Sequence, residues 1–568
     1  MRPVAQAMDE DMVKTDPETV DAIIVGAGLA GLYTLYRLRE RGLSARVFEA
    51  GGDVGGTWYW NRYPGARCDV ESLQYSYSFS PELQQEWTWS ERYGGQPEIL
   101  RYIQHVTERF DLRRDIHFDT RVVSAIFDDE TNLWTVKTDQ EETITATFCI
   151  MATGCLSSPY EPDYPGLDDF QGNIYHTGRW PHEEVDFTGK RVGVIGTGAT
   201  AIQLIPVVAE QASHLTVFQR TANYSIPGHN RPPDAEVVKE FKADYDNKRE
   251  KARHTFAGMT GFPSPRASAV EDAPENRRQF FEERWADGGG TFSMLTTYRD
   301  LLVKQESNDL LVDFVHEKIR TVVRDPDVAE LLTPKNQPIG AKRLPVDTYY
   351  FETYNRENVS LVDIRSAPIE RISPTGLRTA DAAFEFDDLI LATGFDAMTG
   401  ALLAMDIRRK DGLALQDIWA EGPDNYLGVM VAGLPNLFMI TGPGSPSVKM
   451  NMILAIEQHT DWIVDCIDHL RANDLYRIEP MQQAQDDWVV HVREVAEATL
   501  MPEADSWYVG ANIPGKPRVF MPYFAGFERY WKICDEVVAD GYRGFELTDA
   551  PGTDPTTSKQ ETDIAAAG

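Results

Sequence analysis

Two glycine-rich turns constrain this chain more than any other feature. Residues 21–25 form a short apolar strand pattern that runs into Gly26-Ala27-Gly28-Leu29-Ala30-Gly31, a helix-period stretch through Arg41 and a second strand at 45–49. The same order recurs downstream: a strand at 191–195, then Gly196-Thr197-Gly198-Ala199-Thr200-Ala201, a helical stretch to Gln211 and a strand at 215–218. In GxGxxG the glycines allow a tight turn and close approach of a pyrophosphate to a helix N-terminus, where unpaired N–H groups and the helix dipole favour anions. Gly26, Gly28 and Gly31 fit the pattern, and in the second turn Ala201 takes the third place, which needs only a small side chain. The chain therefore predicts an α/β fold with two Rossmann-like dinucleotide-binding domains.

The residue ending each second strand separates the two ligands. Glu49, 23 residues after Gly26, offers a carboxylate to a ribose 2′-OH, whereas Arg220, 24 residues after Gly196, offers a guanidinium to a 2′-phosphate. This asymmetry predicts FAD in the first unit and NADPH in the second.

Composition narrows the partners. With 55 Lys+Arg against 89 Asp+Glu the net charge is −34, which disfavours nucleic acid and an anionic membrane surface. The five cysteines are odd in number and lack CxxC spacing, so a reduced, cytoplasmic protein is expected, with no metal site. No signal or transit pattern is visible near the start, and the richest apolar run, 428–444, is broken by Pro435, Asn436 and Pro443. The polar segments 1–20 and 551–568 read as disordered tails. Between them we expect an FAD-binding domain split over 21–155 and 390–550, an NADPH-binding domain at 156–230 and 335–389, and a helical insertion at 231–334. Apolar strands ending in Ala-Thr-Gly at 152–154 and 392–394 mark where sheet halves close.

Ahead of the second glycine turn stands FQGNIYHTGRWP, residues 170–181, with Phe170, Gly172, His176, Trp180 and Pro181 in the spacing FxGxxxHxxxWP. This segment resembles the fingerprint of the type I Baeyer–Villiger monooxygenases, which are class B flavin monooxygenases. GGTWYWNRYPGARCD (55–69), AKR (341–343), DTYYFETYNRENV (347–359), TGPGSPSVKMNM (441–452) and DSWYVGANIPGKP (505–517) are similar to further family motifs, so the resemblance runs from Asp21 to about Tyr542. Ser445-Pro446-Ser447-Val448 is most similar to the phenylacetone and steroid monooxygenase branch. Lys449 departs from the mostly apolar residue expected there.

The resemblance implies an enzyme that uses NADPH, FAD and O₂ to insert oxygen beside a ketone carbonyl, giving an ester or lactone through a flavin C4a-peroxide and a tetrahedral intermediate, with sulfoxidation as a side activity. It places Arg343 beside the peroxide as a permanent cation and Asp69 as the acid that holds Arg343 and meets the nicotinamide. Thr57, Trp58, Asp69, Tyr75 and Met452 match flavin contacts. Arg67, Thr200, Gln203, Thr221 and Lys342 match NADP contacts beside Arg220 and Arg343, with Gly196, Gly198 and Ala201 at the pyrophosphate turn and Trp507 on a mobile loop. His176 is implied to act from an interdomain linker rather than in catalysis. Ketone and O₂ are the expected partners, and a monomer or weak homo-oligomer the expected state. Amine or sulfide oxygenation is the neighbouring alternative; a disulfide reductase would need a CxxC or CxxxxC, whereas Cys149 and Cys155 are six apart.

Overall fold

The computed structural model describes residues 18–335 and 337–549, so the predicted tails at 1–17 and 551–568 lie outside the described residues. Residues 18–20 belong to no tail: the first strand is Glu18–Val25, and Glu18, Thr19 and Val20 pair with Ile144, Thr145 and Ala146.

Glu18–Val25 lies between the parallel strands Thr143–Met151 and Ala45–Phe48 at the heart of an eight-stranded sheet. Ala22, Ile23 and Ile24 have no exposed surface, as expected for an apolar run covered on both faces. Beyond Thr143–Met151 the strand Leu133–Thr138 runs antiparallel to both its neighbours, Thr143–Met151 and Val122–Asp128. Two strands arrive from far along the chain: Asp406–Arg409 pairs with Val122–Asp128, and Leu437–Met439 with Thr143–Met151. The helix after the first glycine turn, Leu29–Glu40, packs on the long helix Met452–Ala472, where Tyr33 donates to Asp461 at 2.8 Å. A first core thus gathers residues from both ends of the sequence.

The second sheet is wholly parallel, in the order Val359–Asp363, His214–Gln219, Arg191–Ile195, Asp388–Leu391, Asn173–His176. It corrects two expectations. The predicted boundary at 389/390 falls inside Asp388–Leu391, a strand that lies entirely in this sheet. His176, expected in an interdomain linker, ends an edge strand of this sheet. The insertion is helical as expected, but it is divided. Helices Ala235–Ala243 and Tyr245–Arg253 pack on the first core, where Arg249 donates to the carbonyl oxygens of Gln74 and Ser76 at 2.8 Å each. Helices Pro274–Asp287, Gly290–Leu295, Gln305–Val322 and Pro326–Leu332 join the second core.

Each Ala-Thr-Gly turn sits against the first glycine of its own sheet's loop. A Cβ on Gly26 (φ +106°) would lie 2.7 Å from the Ala152 oxygen, and one on Gly196 (φ +115°) 2.4 Å from the Ala392 oxygen. Gly31 is pressed harder, since a Cβ there would stand 1.9 Å from the Gly26 oxygen. Alanine is ordinarily the better helix residue by about 1 kcal/mol, yet Gly31→Ala should destabilise by about 1–3 kcal/mol through overpacking. A lowered thermal midpoint in differential scanning fluorimetry is expected; an unchanged or raised midpoint would refute the contact.

Candidate active site

The two glycine turns open on one cavity of about 1280 Å³. Gly26, Gly28, Glu49, Thr57, Trp58, Tyr75 and Met452 line it from the first unit. Gly196, Gly198, Thr200, Gln203, Arg220 and Thr221 line it from the second. Gly31 and Ala201, the third places of the two cofactor-binding motifs, are not on the wall: both sit in helices, Gly31 against the loop backbone and Ala201 fully buried in the second core. A Cβ on Gly198 would meet nothing within 4 Å, so its backbone faces open space at the start of helix Ala199–Gln211.

Glu49 closes the first turn. One carboxylate oxygen accepts from the Ala27 N–H and the other from the Gly51 N–H, each at 2.8 Å. Burial pushes its carboxyl above the ordinary range, against those two N–H donors. Trp58 donates its indole N–H to the Tyr75 hydroxyl at 3.1 Å, fixing both rings at the cavity wall.

Between the two units lies an ion pair. Arg343 donates from Nη2 and Nε to Asp69 Oδ2 at 2.7 and 3.1 Å, while Asp69 Oδ1 accepts from the Val346 N–H at 3.2 Å. Arg343 Nη1 reaches the Val448 carbonyl oxygen at 3.2 Å. The guanidinium side chain keeps 30% of its surface accessible and Asp69 only 8%. Burial opposes the charge on Arg343, but the Asp69 carboxylate and Tyr508 outweigh it and raise its pKa further, so it stays protonated. The site is a fixed cation on the wall of a half-enclosed cavity, where it can stabilise charge developing on a bound oxygen.

A second cationic cluster lies where the strands His214–Gln219 and Val359–Asp363 end side by side, Gln219 opposite Asp363. Arg220 and Arg365 follow those ends, and Lys342 stands near both. Burial pushes the Lys342 pKa down; Asp505 opposes this, and Arg220 and Arg365 add to it. Three cations sharing one corner make a receptor for a doubly charged phosphate. Arg365 was not among the residues expected from sequence. Its signal is the one that marked Arg220, an arginine just past a parallel strand, but only the register puts the two together.

A protein described as a Baeyer-Villiger monooxygenase, from Pseudooceanicola batsensis, is 44% identical over 531 residues, covering 93% of this chain and 96% of its own. The chain belongs to the Baeyer–Villiger monooxygenases. Among solved structures, oxidized steroid monooxygenase bound to NADP superposes with a TM-score of 0.89 at 52% identity, covering 94% of this chain and 100% of that one. OTEMO in complex with FAD and NADP gives 0.90 at 43% identity, with the same coverage. A family described as pyridine nucleotide-disulphide oxidoreductase matches residues 23–253. All five cysteines of this Baeyer–Villiger monooxygenase are free, and no group of three or more His, Cys, Asp or Glu among the described residues could hold a metal ion.

Several expected contacts of this monooxygenase are engaged within the protein. Gln203 Oε1 accepts from the Tyr63 hydroxyl at 2.9 Å and the Arg67 N–H at 3.2 Å, and its amide donates to the Arg67 carbonyl oxygen at 3.0 Å. The Arg67 guanidinium is held by Glu91 and by the Tyr93 carbonyl oxygen at 2.6 Å. These two residues line the cavity but also tie one unit to the other. Trp507 lines it too, on a segment pinned by Asn512 to the Phe395 carbonyl oxygen at 2.7 Å and by Lys516 to the Ala397 carbonyl oxygen at 2.8 Å. His176 bonds through Nε2 to the Tyr160 carbonyl oxygen at 3.1 Å and lies 3.2 Å from the Thr393 hydroxyl, joining the edge strand to the second Ala-Thr-Gly turn away from Arg343.

The loop that carries Val448 hangs from His459, whose Nδ1 accepts from the Thr441 N–H at 3.1 Å and whose Nε2 meets the Tyr530 hydroxyl at 2.8 Å. Burial pulls the His459 pKa down to about 4. The unfolded chain then binds a proton between pH 6.5 and 4 that the native state refuses, so His459 lowers stability as pH falls through that window, by up to about 3 kcal/mol. Wild type should lose more thermal stability than His459→Gln between pH 7 and 5; parallel losses would contradict the assignment.

Proposed function

We propose that this chain catalyses ketone + O₂ + NADPH + H⁺ → ester or lactone + NADP⁺ + H₂O with FAD as its cofactor. The observation that carries the reading is the Asp69–Arg343 pair on the wall of the cavity shared by the two glycine turns. The residues fit the cofactors. Gly26 donates its N–H to the Phe48 carbonyl oxygen at 2.8 Å and so fixes the turn, Gly28 brings backbone to the cavity wall at one helix start with Glu49 beside it for a ribose, and Gly198 opens on the cavity at the other. Arg220, Lys342 and Arg365, with Thr221 alongside, fit the 2′-phosphate that distinguishes NADPH from NADH.

The reduced flavin supplies activation of O₂, chemistry that side chains do not provide. The protein's part is positional and electrostatic. Thr57, Trp58, Tyr75 and Met452 form one wall for the flavin. Arg343 holds its charge toward the reacting oxygen and stabilises the negative charge that builds as the ketone carbonyl is attacked, and Asp69 holds the guanidinium in place. The Trp507 segment covers the site and excludes water, which would otherwise drain the reaction into hydrogen peroxide. A cytoplasmic location suits five unpaired cysteines, and no described helix is long and apolar enough to cross a membrane.

Two measurements test this reading. Arg343→Ala should keep flavin reduction by NADPH in stopped-flow absorbance but lose ester formation by about 10²–10³-fold; retained ketone oxidation would exclude the assigned role. Lys342→Met and Arg365→Ala should each raise KM for NADPH, the first by about tenfold or more, and leave KM for NADH unchanged. An equal rise for both nucleotides would mean that these cations do not read the 2′-phosphate.

A further inference from the structure

Lys449 is the one lysine in the segment 441–452, and the ketone reaction leaves it unused. Its neighbours Val448 and Met450 line the cavity, and the Val448 carbonyl oxygen holds Arg343. Lys449 Nζ lies 4.2 Å from the ring centroid of Tyr508 and 5.2 Å from that of Phe524. Tyr508 connects the two cations: the Arg343 charge acts on its hydroxyl, which burial pushes up to about 12, while Lys449 lies over its ring.

No carboxylate answers the Lys449 ammonium within 4.0 Å among the described residues. Asp69 is already committed to Arg343 and to the Val346 N–H. Two aromatic faces favour a cation but carry no net charge, so no anionic group balances the Lys449 side chain in this corner. Burial, then the charge of Arg343, pushes the Lys449 pKa well below the ordinary lysine value. An arriving anion would offset both by pairing with the ammonium.

We propose that Lys449 is a specificity residue that selects ketones bearing a carboxylate, the carboxylate meeting the ammonium beside Tyr508 and Phe524 while the carbonyl faces Arg343. The inference rests on the ketone monooxygenase reading above and adds a substrate class to it. It also accounts for a charged residue at a position where related enzymes are expected to be apolar. An oxo acid gains a charge-assisted hydrogen bond in a partly dry site, which a neutral ketone of equal size cannot make.

The test uses the FAD-loaded enzyme, NADPH and three ketones: 4-phenylbutan-2-one, its para-carboxylate and the methyl ester of that carboxylate. Product ester is quantified and hydrogen peroxide measured alongside. Wild type should show kcat/KM for the carboxylate at least about tenfold above that for the methyl ester. Lys449→Met should bring that ratio close to one, and Lys449→Arg should keep it. A ratio near one in wild type, or a ratio that survives Lys449→Met, overturns the proposal while leaving the monooxygenase reading standing. Equal losses on both substrates in Lys449→Met also overturn it, because they assign Lys449 to holding Tyr508 alone. Flavin reduction with no ester from any of the three ketones would contradict the reading on which the proposal rests, and the proposal with it.

Discussion

The arrangement depends on one ion pair between Asp69 and Arg343. Asp69 follows Cys68 in the first core, Arg343 precedes Leu344 in the second, and the Val448 carbonyl oxygen brings in a third segment. Three stretches more than a hundred residues apart therefore meet at one guanidinium. A buried pair of this kind gives little net stability, because desolvation offsets attraction. Its worth lies in geometry: it fixes where a permanent cation stands relative to the two glycine turns. The Gln203–Tyr63–Arg67 bonds act in the same sense, holding the start of the second helix against the first unit.

Charge is distributed against the average. A chain with a net charge of −34 places Arg220, Lys342 and Arg343 on the wall of one cavity, with Arg365 and Lys449 close behind them. Arg220, Lys342 and Arg365 gather beyond two adjacent strand ends, and Arg343 with Lys449 lies deeper, beside Tyr508. Overall acidity does not describe the site. Local field, set by which strand ends are neighbours, governs what the site can hold.

Local signals in the sequence carried much of the fold and part of the site. Both strand–glycine–helix units, the helix end at Gln211, Glu49 and Arg220 follow from spacing within about 25 residues of each turn, and the first helix, read through Arg41, ends one residue earlier at Glu40, because backbone geometry there is set locally. What was missed depends on contacts far apart in the chain. The strand Asp388–Leu391 reads like Thr143–Met151, and only pairing assigns it to the second sheet. The insertion reads as one helical block, yet Arg249 anchors its first half to Gln74 and Ser76. Arg365 lacks any motif and gains meaning from its neighbour Arg220. Gly31 and Ala201 were legible as motif positions, but their role is packing at the helix start rather than contact with the cavity.

The account makes Asp69 the holder of Arg343, so its most direct test is the yield of ester per NADPH consumed in Asp69→Asn. This change keeps the size of the side chain and removes the charge that orients the guanidinium. The account predicts that NADPH is still oxidised while the ester yield falls several-fold and hydrogen peroxide rises to match. An ester yield equal to that of wild type would contradict it.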